Sequence, residues 1–262
     1  MLNLRDICWP LGKRTYIMGI LNITPDSFSD GGQYNSAEAA VGAAIEMINQ
    51  GADIIDVGGQ STRPGSTEIG PEEEWARIAD VLGGLKENGI LFSVDTYYPE
   101  VARKALAAGA LMINDVSGRT TREMAEAVKE YSAAWVLMSR AGTPEAVKDS
   151  LNALAAEAMT LGVPKENICL DPGIGFGKGN EECIEIIKRT ADIKPQGFAY
   201  LMAASRKRCV GYFSGIEKAD ERDEATAQLH SIAIAGGADI IRVHNVALAA
   251  EFAAQDDIRF RR

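Results

Sequence analysis

The chain has 262 residues, of which 46% are hydrophobic, and this length suits one large core such as an α/β barrel of roughly 250 residues. Asp and Glu outnumber Lys and Arg by 37 to 27, so the formal net charge is -10, and without a basic stretch we expect no nucleic-acid partner. No apolar run approaches the roughly 18 residues of a membrane span, which argues against a membrane protein.

The cysteines argue for a reducing environment. None of the four forms a Cys-x-x-Cys pair, and no N-terminal segment has a signal-peptide pattern. We therefore expect a cytoplasmic protein without a metal-thiolate site.

Short apolar runs predict eight strands in chain order. They lie near residues 15–21, 53–57, 90–94, 111–115, 134–138, 167–170, 198–203 and 239–243. Helical patterns lie between them, for example over 36–49, 71–86, 99–108, 144–161 and 225–235. Ser36 and Thr143 are predicted N-caps, and Gly51, Gly109 and Gly162 are predicted helix stops.

Strict alternation of strands and helices predicts a parallel sheet, and eight repeats predict a single (β/α)8 TIM barrel. A doubly wound open sheet is the main alternative. The absence of Gly-x-Gly-x-x-Gly after the first strand weakens it. With no linker or shift in composition, residues 1–262 are expected to form one domain.

One small pattern occurs three times and delivers a polar residue to the end of an apolar strand. Each copy begins with Gly-Ala, and the copies end on Asp56, Asn114 and Arg242. A helix stop followed by a buried strand is typical of α/β proteins, and barrel enzymes keep their chemistry where such strands end.

The loops after the first two strands, over residues 22–32 and 58–65, are long, polar and rich in Gly. Turn formation explains their Asp, Ser, Thr and Gly residues, but it does not require Phe28 or Arg63. An aromatic ring and a guanidinium on loops at one end of a barrel indicate covers that close over a flat or anionic substrate.

Polar side chains end three further strands. Asp95, Asn114 and Asp171 combine hydrogen-bond acceptors with an amide donor, which suits recognition of the edge of a nitrogen heterocycle. The alternative is that they only cap strands and helices.

Cations follow the last two strands, in Ser205-Arg206-Lys207-Arg208 and Arg242-Val243-His244-Asn245. Phosphate sites recur at this location in barrels, so these residues suit an oxyanion leaving group. For His244 an ordinary surface histidine is the alternative.

The chain resembles the dihydropteroate synthases over nearly its whole length. The resemblance rests on Met18-Gly19-Ile20-Leu21-Asn22, Thr24-Pro25-Asp26-Ser27-Phe28-Ser29-Asp30-Gly31, Ser61-Thr62-Arg63-Pro64-Gly65, Asn114-Asp115, Asp171-Pro172-Gly173, Ser205-Arg206-Lys207 and Arg242-Val243-His244. Members of that family are (β/α)8 barrels, usually dimers. They join 4-aminobenzoate to 6-hydroxymethyl-7,8-dihydropterin diphosphate in folate biosynthesis, releasing diphosphate and 7,8-dihydropteroate.

The resemblance also implies a role for each site residue. It assigns the pterin to Asp95, Asn114, Asp171 and Lys207, and the diphosphate to Asn22, Arg63, Arg242 and His244. It assigns 4-aminobenzoate to Phe28, Thr62, Pro64, Lys207 and Arg208, and a Mg²⁺ ion on the leaving group to Asn22. The residues expected to carry catalysis are Asp95, Asp171, Lys207 and Arg63.

Several positions depart from the family pattern. Gln60 stands where Glu is usual, Ser139 where His is frequent, Asn245 where Asp is common, and Ala203 where Gly is usual beside the pterin. Arg208 replaces a Ser near the carboxylate of 4-aminobenzoate, so it either pairs with that carboxylate or displaces it. Because sulfonamides bind the same pocket in the family, Arg208 bears on inhibitor affinity.

Two alternatives to synthase activity remain. One is a methyltetrahydrofolate:corrinoid methyltransferase-like protein, which shares the barrel but has no use for a diphosphate cluster. The other is a pterin-binding paralogue without synthase activity, which the departures from the family pattern at Ala203 and Arg208 suggest.

Overall fold

The protein is a closed barrel of eight parallel strands surrounded by helices. A computed structural model describes residues 1–23, 32–60 and 68–261, with the side chains of the middle range from residue 37 onward. A short antiparallel hairpin, β1 (Leu2–Leu4) and β2 (Ile7–Trp9), precedes the barrel. The barrel strands are β3 (Tyr16–Asn22), β4 (Ile54–Gly58), β5 (Phe92–Asp95), β6 (Met112–Asp115), β7 (Ala134–Met138), β8 (Ile168–Asp171), β9 (Ala199–Met202) and β10 (Ile240–Val243).

The barrel confirms the predicted fold class. Each strand pairs with the next along the chain, and β10 closes the cylinder against β3. Continuous apolar runs located the strands well because parallel barrel strands are covered on both faces. The hairpin was not predicted, because strands of three residues are too short to show a period.

Helices follow the strands around the outside. They are α1 (Gly32–Asn49), α2 (Pro71–Glu87), α3 (Pro99–Ala108), α4 (Arg122–Glu130), α5 (Pro144–Thr160), α6 (Asn180–Lys188), α7 (Thr190–Ile193), α8 (Arg208–Ser214), α9 (Asp223–Ala235) and α10 (Val246–Phe260). Short 3-10 turns lie at Lys165–Asn167 and Ala219–Glu221. Within the described ranges, no helix combines the length and hydropathy needed to cross a bilayer.

The predicted helix boundaries are mostly confirmed. Thr143 caps α5, since its side chain accepts a hydrogen bond from the backbone N–H of Ala146 at 3.3 Å. The three glycine stops all have positive φ: Gly51 (108°), Gly109 (124°) and Gly162 (86°). The N-cap prediction for Ser36 is wrong, because α1 begins at Gly32 and position 36 lies inside the helix.

The amino-terminal hairpin closes one end of the barrel interior, opposite the carboxyl ends of the strands. Leu2, Leu4 and Trp9 of the hairpin join the cluster of strand side chains inside the barrel, and Trp9 stacks on Tyr16 with ring centroids 4.1 Å apart. A second and larger apolar cluster lies between the strands and the helices. Apolar packing thus fills the lower barrel and leaves the carboxyl ends of the strands, here called the upper mouth, for polar groups.

Candidate active site

Strand register brings the predicted polar residues into one ring at the upper mouth. Asn22 is paired with Gly58, Gly58 with Asp95, and Asp95 with Asn114. Paired residues of parallel neighbours project to the same face of the sheet, so these side chains share the interior of the mouth. The ring therefore unites residues that lie up to 92 positions apart, from 22 to 114.

Arg242 links two carboxylates inside this ring. Its Nε donates to Asp56 Oδ2 at 2.6 Å, and its Nη2 donates to Asp95 Oδ2 at 3.1 Å. Asp56 also accepts hydrogen bonds from Asn114 Nδ2 at 3.0 Å and from the Ser93 hydroxyl. The strand ends are therefore joined into one network of buried, charge-assisted hydrogen bonds.

One acceptor in the network is left open. Asn114 is 2% exposed, and its Oδ1 has no hydrogen-bond partner within the part of the chain that the structure describes. An unpaired buried acceptor costs free energy unless a ligand or water supplies a donor. The site is thus suited to a ligand that carries an N–H group.

Asp171 and Lys207 face each other across the loop that follows β8. The backbone N–H of Gly173 donates to Asp171 Oδ1 at 2.6 Å, and Lys207 Nζ donates to the carbonyl of Ile174 at 2.5 Å. At Gly175, φ is +81° and an added Cβ would lie 3.2 Å from Lys207 Cδ. Glycine is favoured at this turn because residues with a side chain rarely adopt this φ, and a Cβ here would also crowd Lys207.

Burial shifts the pKa values of the ionisable side chains in this ring. Desolvation raises the pKa of Asp95 to about 7, while the positive charge of Arg242 opposes the shift. Desolvation also raises the pKa of Asp171 and lowers the pKa of Lys207, and their mutual attraction opposes both shifts. Burial and the opposing charges thus act against each other on all three groups.

His244 is held beside β9. Its Nδ1 lies 2.9 Å from Ser205 Oγ, which also accepts from the backbone N–H of His244 at 3.2 Å. Next to it, Arg206 forms a bidentate ion pair with Asp223, whose Oδ2 also accepts from the side chain of Asn245. Arg206 therefore braces the loop, and Ser205 orients the imidazole.

The structure brings most predicted site residues to the upper mouth. Asn22, Asp95, Asn114, Asp171, Lys207, Arg242 and His244 all follow or end barrel strands there. Arg208 is the exposed first residue of α8, and Ala203 is a buried residue of the inner cluster. The predictions for Phe28, Thr62, Arg63 and Pro64 fall outside the described residues.

Three further residues belong to the site: Asp56, Ser93 and Phe176. Ser93 contacts Asp56 through its hydroxyl, and the Phe176 ring lies 4.9 Å below Lys207 Nζ in a cation–π contact. Asp56 itself stood out in the repeated Gly-Ala pattern, but its role was not assigned. The signal for Ser93 was a polar residue inside an otherwise apolar strand.

The residues at Asn22 fit a Mg²⁺ ion only as part of a shared site. The amide oxygen of Asn22 is a hard donor, and an added Cβ on Gly58 would lie 3.6 Å from it, so the glycine leaves room beside it. Among the described residues, no cluster of three or more His, Cys, Asp or Glu could hold a metal. Further oxygens would have to come from a ligand.

Comparison with known proteins shows the family of the chain. Residues 18–244 match the family described as pterin binding enzyme. The matched stretch runs from within β3 to His244, so it includes most of β3 and all the other strands of the barrel.

Close relatives narrow the family further. Dihydropteroate synthase of Clostridium beijerinckii is 43% identical, covering 96% of this chain and 97% of the relative. A Clostridium difficile dihydropteroate synthase structure, determined in the presence of pteroic acid, has a TM-score of 0.92 at 42% identity and covers 97% of this chain and 100% of its own. The structure of Xanthomonas albilineans dihydropteroate synthase with 4-aminobenzoic acid has a TM-score of 0.89 at 35% identity. It covers 95% of this chain and 94% of its own. The chain belongs to the dihydropteroate synthase family.

Proposed function

We propose that the chain condenses 6-hydroxymethyl-7,8-dihydropterin diphosphate with 4-aminobenzoate to give 7,8-dihydropteroate and diphosphate. The observation that carries this proposal is the ring of Asp95, Asn114, Asp171 and Lys207 at one mouth of the barrel. Carboxylates and an amide oxygen match the N–H groups of a pterin, and an ammonium matches its carbonyl oxygen or ring nitrogen. The family of the chain and the pteroic acid named with a relative support the same chemistry.

The diphosphate is assigned to Asn22, Arg63, Arg242 and His244. His244 stands beside Ser205 at the end of β10, where barrels often bind phosphate. Arg242 also bridges Asp56 and Asp95, so one cation serves both the pterin end and the leaving group. Charge-assisted contacts of this kind stabilise the departing anion.

A Mg²⁺ ion fits this assignment. Asn22 would supply one amide oxygen, and the oxygens of the diphosphate would complete the coordination. When bound, the ion neutralises negative charge on the leaving group.

The second substrate, 4-aminobenzoate, is assigned to Phe28, Thr62, Pro64, Lys207 and Arg208. A relative determined with 4-aminobenzoic acid supports the choice of substrate. Arg208 is exposed at the start of α8, directly after Lys207, and its guanidinium is suited to pair with the carboxylate of the substrate.

The reaction we infer is dissociative. The C–O bond to the diphosphate breaks first, and both electrons leave with the diphosphate oxygen. Asp95 and Asp171 stabilise the carbocation that remains on the pterin methylene, and Arg63, Arg242 and His244 stabilise the anion. The aromatic amine then attacks the carbocation, and the resulting ammonium nitrogen gives one proton to solvent water once the C–N bond has formed. No strong base is required.

We also propose a homodimer and a cytoplasmic location. Large apolar side chains are exposed on α8 and at the end of α10, and both helices pack on α9. They are Tyr212, Phe213, Ile258 and Phe260, with Ile258 84% exposed. We propose that a second copy of the chain covers some or all of these side chains. The four free cysteines suit a reducing compartment.

The test is a coupled assay of diphosphate release from the pterin substrate. Release should depend on 4-aminobenzoate and should match the dihydropteroate formed. Pterin binding without release of diphosphate would indicate a binding protein that has lost catalysis. Methyl transfer from methyltetrahydrofolate would instead support the corrinoid alternative.

A further inference from the structure

Asp56 lies beneath the side chains that are proposed to bind the pterin, and it does not reach the upper mouth. Its side chain is 0% exposed. It nevertheless contacts three site residues, because it accepts hydrogen bonds from Ser93, Asn114 and Arg242. A fully covered carboxylate in this place acts on a ligand only through the side chains that it holds.

The contact with Asn114 fixes which way the amide faces. An ionised carboxylate accepts hydrogen bonds and donates none, so the amide must turn its NH₂ group toward Asp56. Asn114 Nδ2 lies 3.0 Å from Asp56 Oδ2, and the amide oxygen is the atom without a partner in the described part of the chain. The unpaired atom of Asn114 is therefore its amide oxygen, a hydrogen-bond acceptor.

We propose that Asp56 is a positioning residue that sets ligand selectivity by holding the amide oxygen of Asn114 toward the pterin. This inference rests on the proposed function. Asp95, Asn114 and Asp171 then all present acceptor oxygens to the ligand. A pterin supplies N–H groups to such a site, whereas a pteridine dione places a carbonyl oxygen where the pterin has its amino group. The carbonyl oxygen of the dione would then face an acceptor oxygen of the site, so the dione binds more weakly than the pterin.

The same carboxylate aligns Arg242. Asp56 holds the Nε edge of the guanidinium at 2.6 Å, which leaves the Nη2 group to reach Asp95. Loss of the Asp56 charge would therefore weaken binding of any pteridine. We expect the effect through Arg242 to weaken both ligands, and the effect through Asn114 to weaken the pterin selectively, so the ratio of the two affinities reports on Asn114.

The experiment compares 6-hydroxymethylpterin with 6-hydroxymethyllumazine, the matching dione, by calorimetry on the full chain. In Asp56→Asn the neighbour of Asn114 is an amide, which both donates and accepts, so Asn114 is free to turn over. We expect the preference for the pterin to fall about tenfold. Asp53→Asn is the matched control. Asp53 precedes the same strand at the opposite mouth, where it binds Arg14, and the ratio should not change.

An unchanged ratio in a folded Asp56→Asn variant would overturn the proposal, even if both ligands bound more weakly. Asn114→Leu supplies a second test if Asp56→Asn does not fold. It removes the acceptor while Asp56 and Arg242 remain, and it should reduce the preference at least as much. Retention of the preference in Asn114→Leu would also overturn the proposal. Failure of the unmodified protein to bind the pterin or to form dihydropteroate would count against the proposed function instead.

Discussion

Ser205 and His244 lie on neighbouring strand ends and are joined twice, through Ser205 Oγ and His244 Nδ1 at 2.9 Å and through the backbone N–H of His244 at 3.2 Å. The hydroxyl thereby fixes the plane of the imidazole at the proposed diphosphate site. Because Ser205 is buried with 6% exposure, we infer that it acts through His244 and does not contact a ligand itself.

Replacing Ser205 with Ala should therefore lower turnover about tenfold and leave pterin affinity unchanged, since one orienting hydrogen bond is lost away from the pterin. Steady-state kinetics and calorimetry with the pterin measure the two quantities. Ser214→Ala is the control, because among the described residues its hydroxyl bonds only to the backbone of α8 and of the turn that follows. A loss of pterin affinity in Ser205→Ala would show that the histidine belongs to the pterin pocket.

Asp171→Asn and Lys207→Ala should each weaken pterin binding by roughly two orders of magnitude and nearly abolish turnover. Asp171→Asn keeps the shape of the side chain and removes its charge, while Lys207→Ala removes the only cation that contacts the Ile174 carbonyl in the described structure. Calorimetry and the diphosphate assay measure both effects.

The control for the lysine is Lys165→Ala. Lys165 precedes β8 at the lower end of the barrel and lies 4.6 Å from the centroid of the Phe198 ring, a contact much like that of Lys207 with Phe176 at 4.9 Å. It should leave pterin affinity intact. Full activity in both Asp171→Asn and Lys207→Ala would remove the pterin assignment.

A Mg²⁺ ion held by one protein oxygen should bind weakly by itself and tightly together with diphosphate. Calorimetry with Mg²⁺ alone, inorganic diphosphate alone and both together should reveal this coupling. Asn22→Ala should reduce affinity for the joint ligand about tenfold. Asn152→Ala on the exposed face of α5 serves as control. Equal binding of Mg²⁺ with and without diphosphate would contradict a shared site.

The sequence predicted the strands better than the contacts between them. Apolar runs are local features, and so are the polar residues at their ends, which is why Asp95, Asn114 and Asp171 could be assigned to one mouth. The pairing of Arg242 with Asp56 spans 186 positions and exists only because β10 closes the barrel against β3. No local pattern distinguishes Asp56 as an internal partner from Asp95 as a residue of the mouth.

Arg208→Ser should raise the KM for 4-aminobenzoate several-fold, because the guanidinium that pairs with the carboxylate is lost. Pterin affinity should not change, since Arg208 is exposed on α8. A sulfonamide lacks the carboxylate, so its inhibition constant should change less than the KM. Arg14→Ser, at an exposed position of the opposite mouth, is the control. A lower KM in Arg208→Ser would show instead that the arginine displaces the carboxylate.

Glu74 provides a pH test that does not depend on ligand. It lies in the first turn of α2 with 1% exposure and accepts a hydrogen bond from Thr96 Oγ1 at 3.1 Å. Burial raises its pKa from 4.5 to about 7, and the nearby charge of Asp95 adds to the shift, while the hydrogen bond from Thr96 opposes it. The folded protein therefore holds this proton more tightly than the unfolded chain.

A raised carboxyl pKa stabilises the fold below the pKa of the unfolded chain, and this stability is lost as pH rises toward the folded pKa. Glu74→Gln stays neutral throughout. Relative to the unmodified protein, its free energy of unfolding should rise between about pH 4.5 and pH 7 by up to about 3 kcal/mol and then level off. Urea unfolding across this range measures the difference, in which the contributions of buried carboxyls that do not interact with Glu74 cancel. Glu123→Gln in the exposed first turn of α4 should show no such rise, and a Glu74→Gln curve parallel to the original would mean that Glu74 titrates normally.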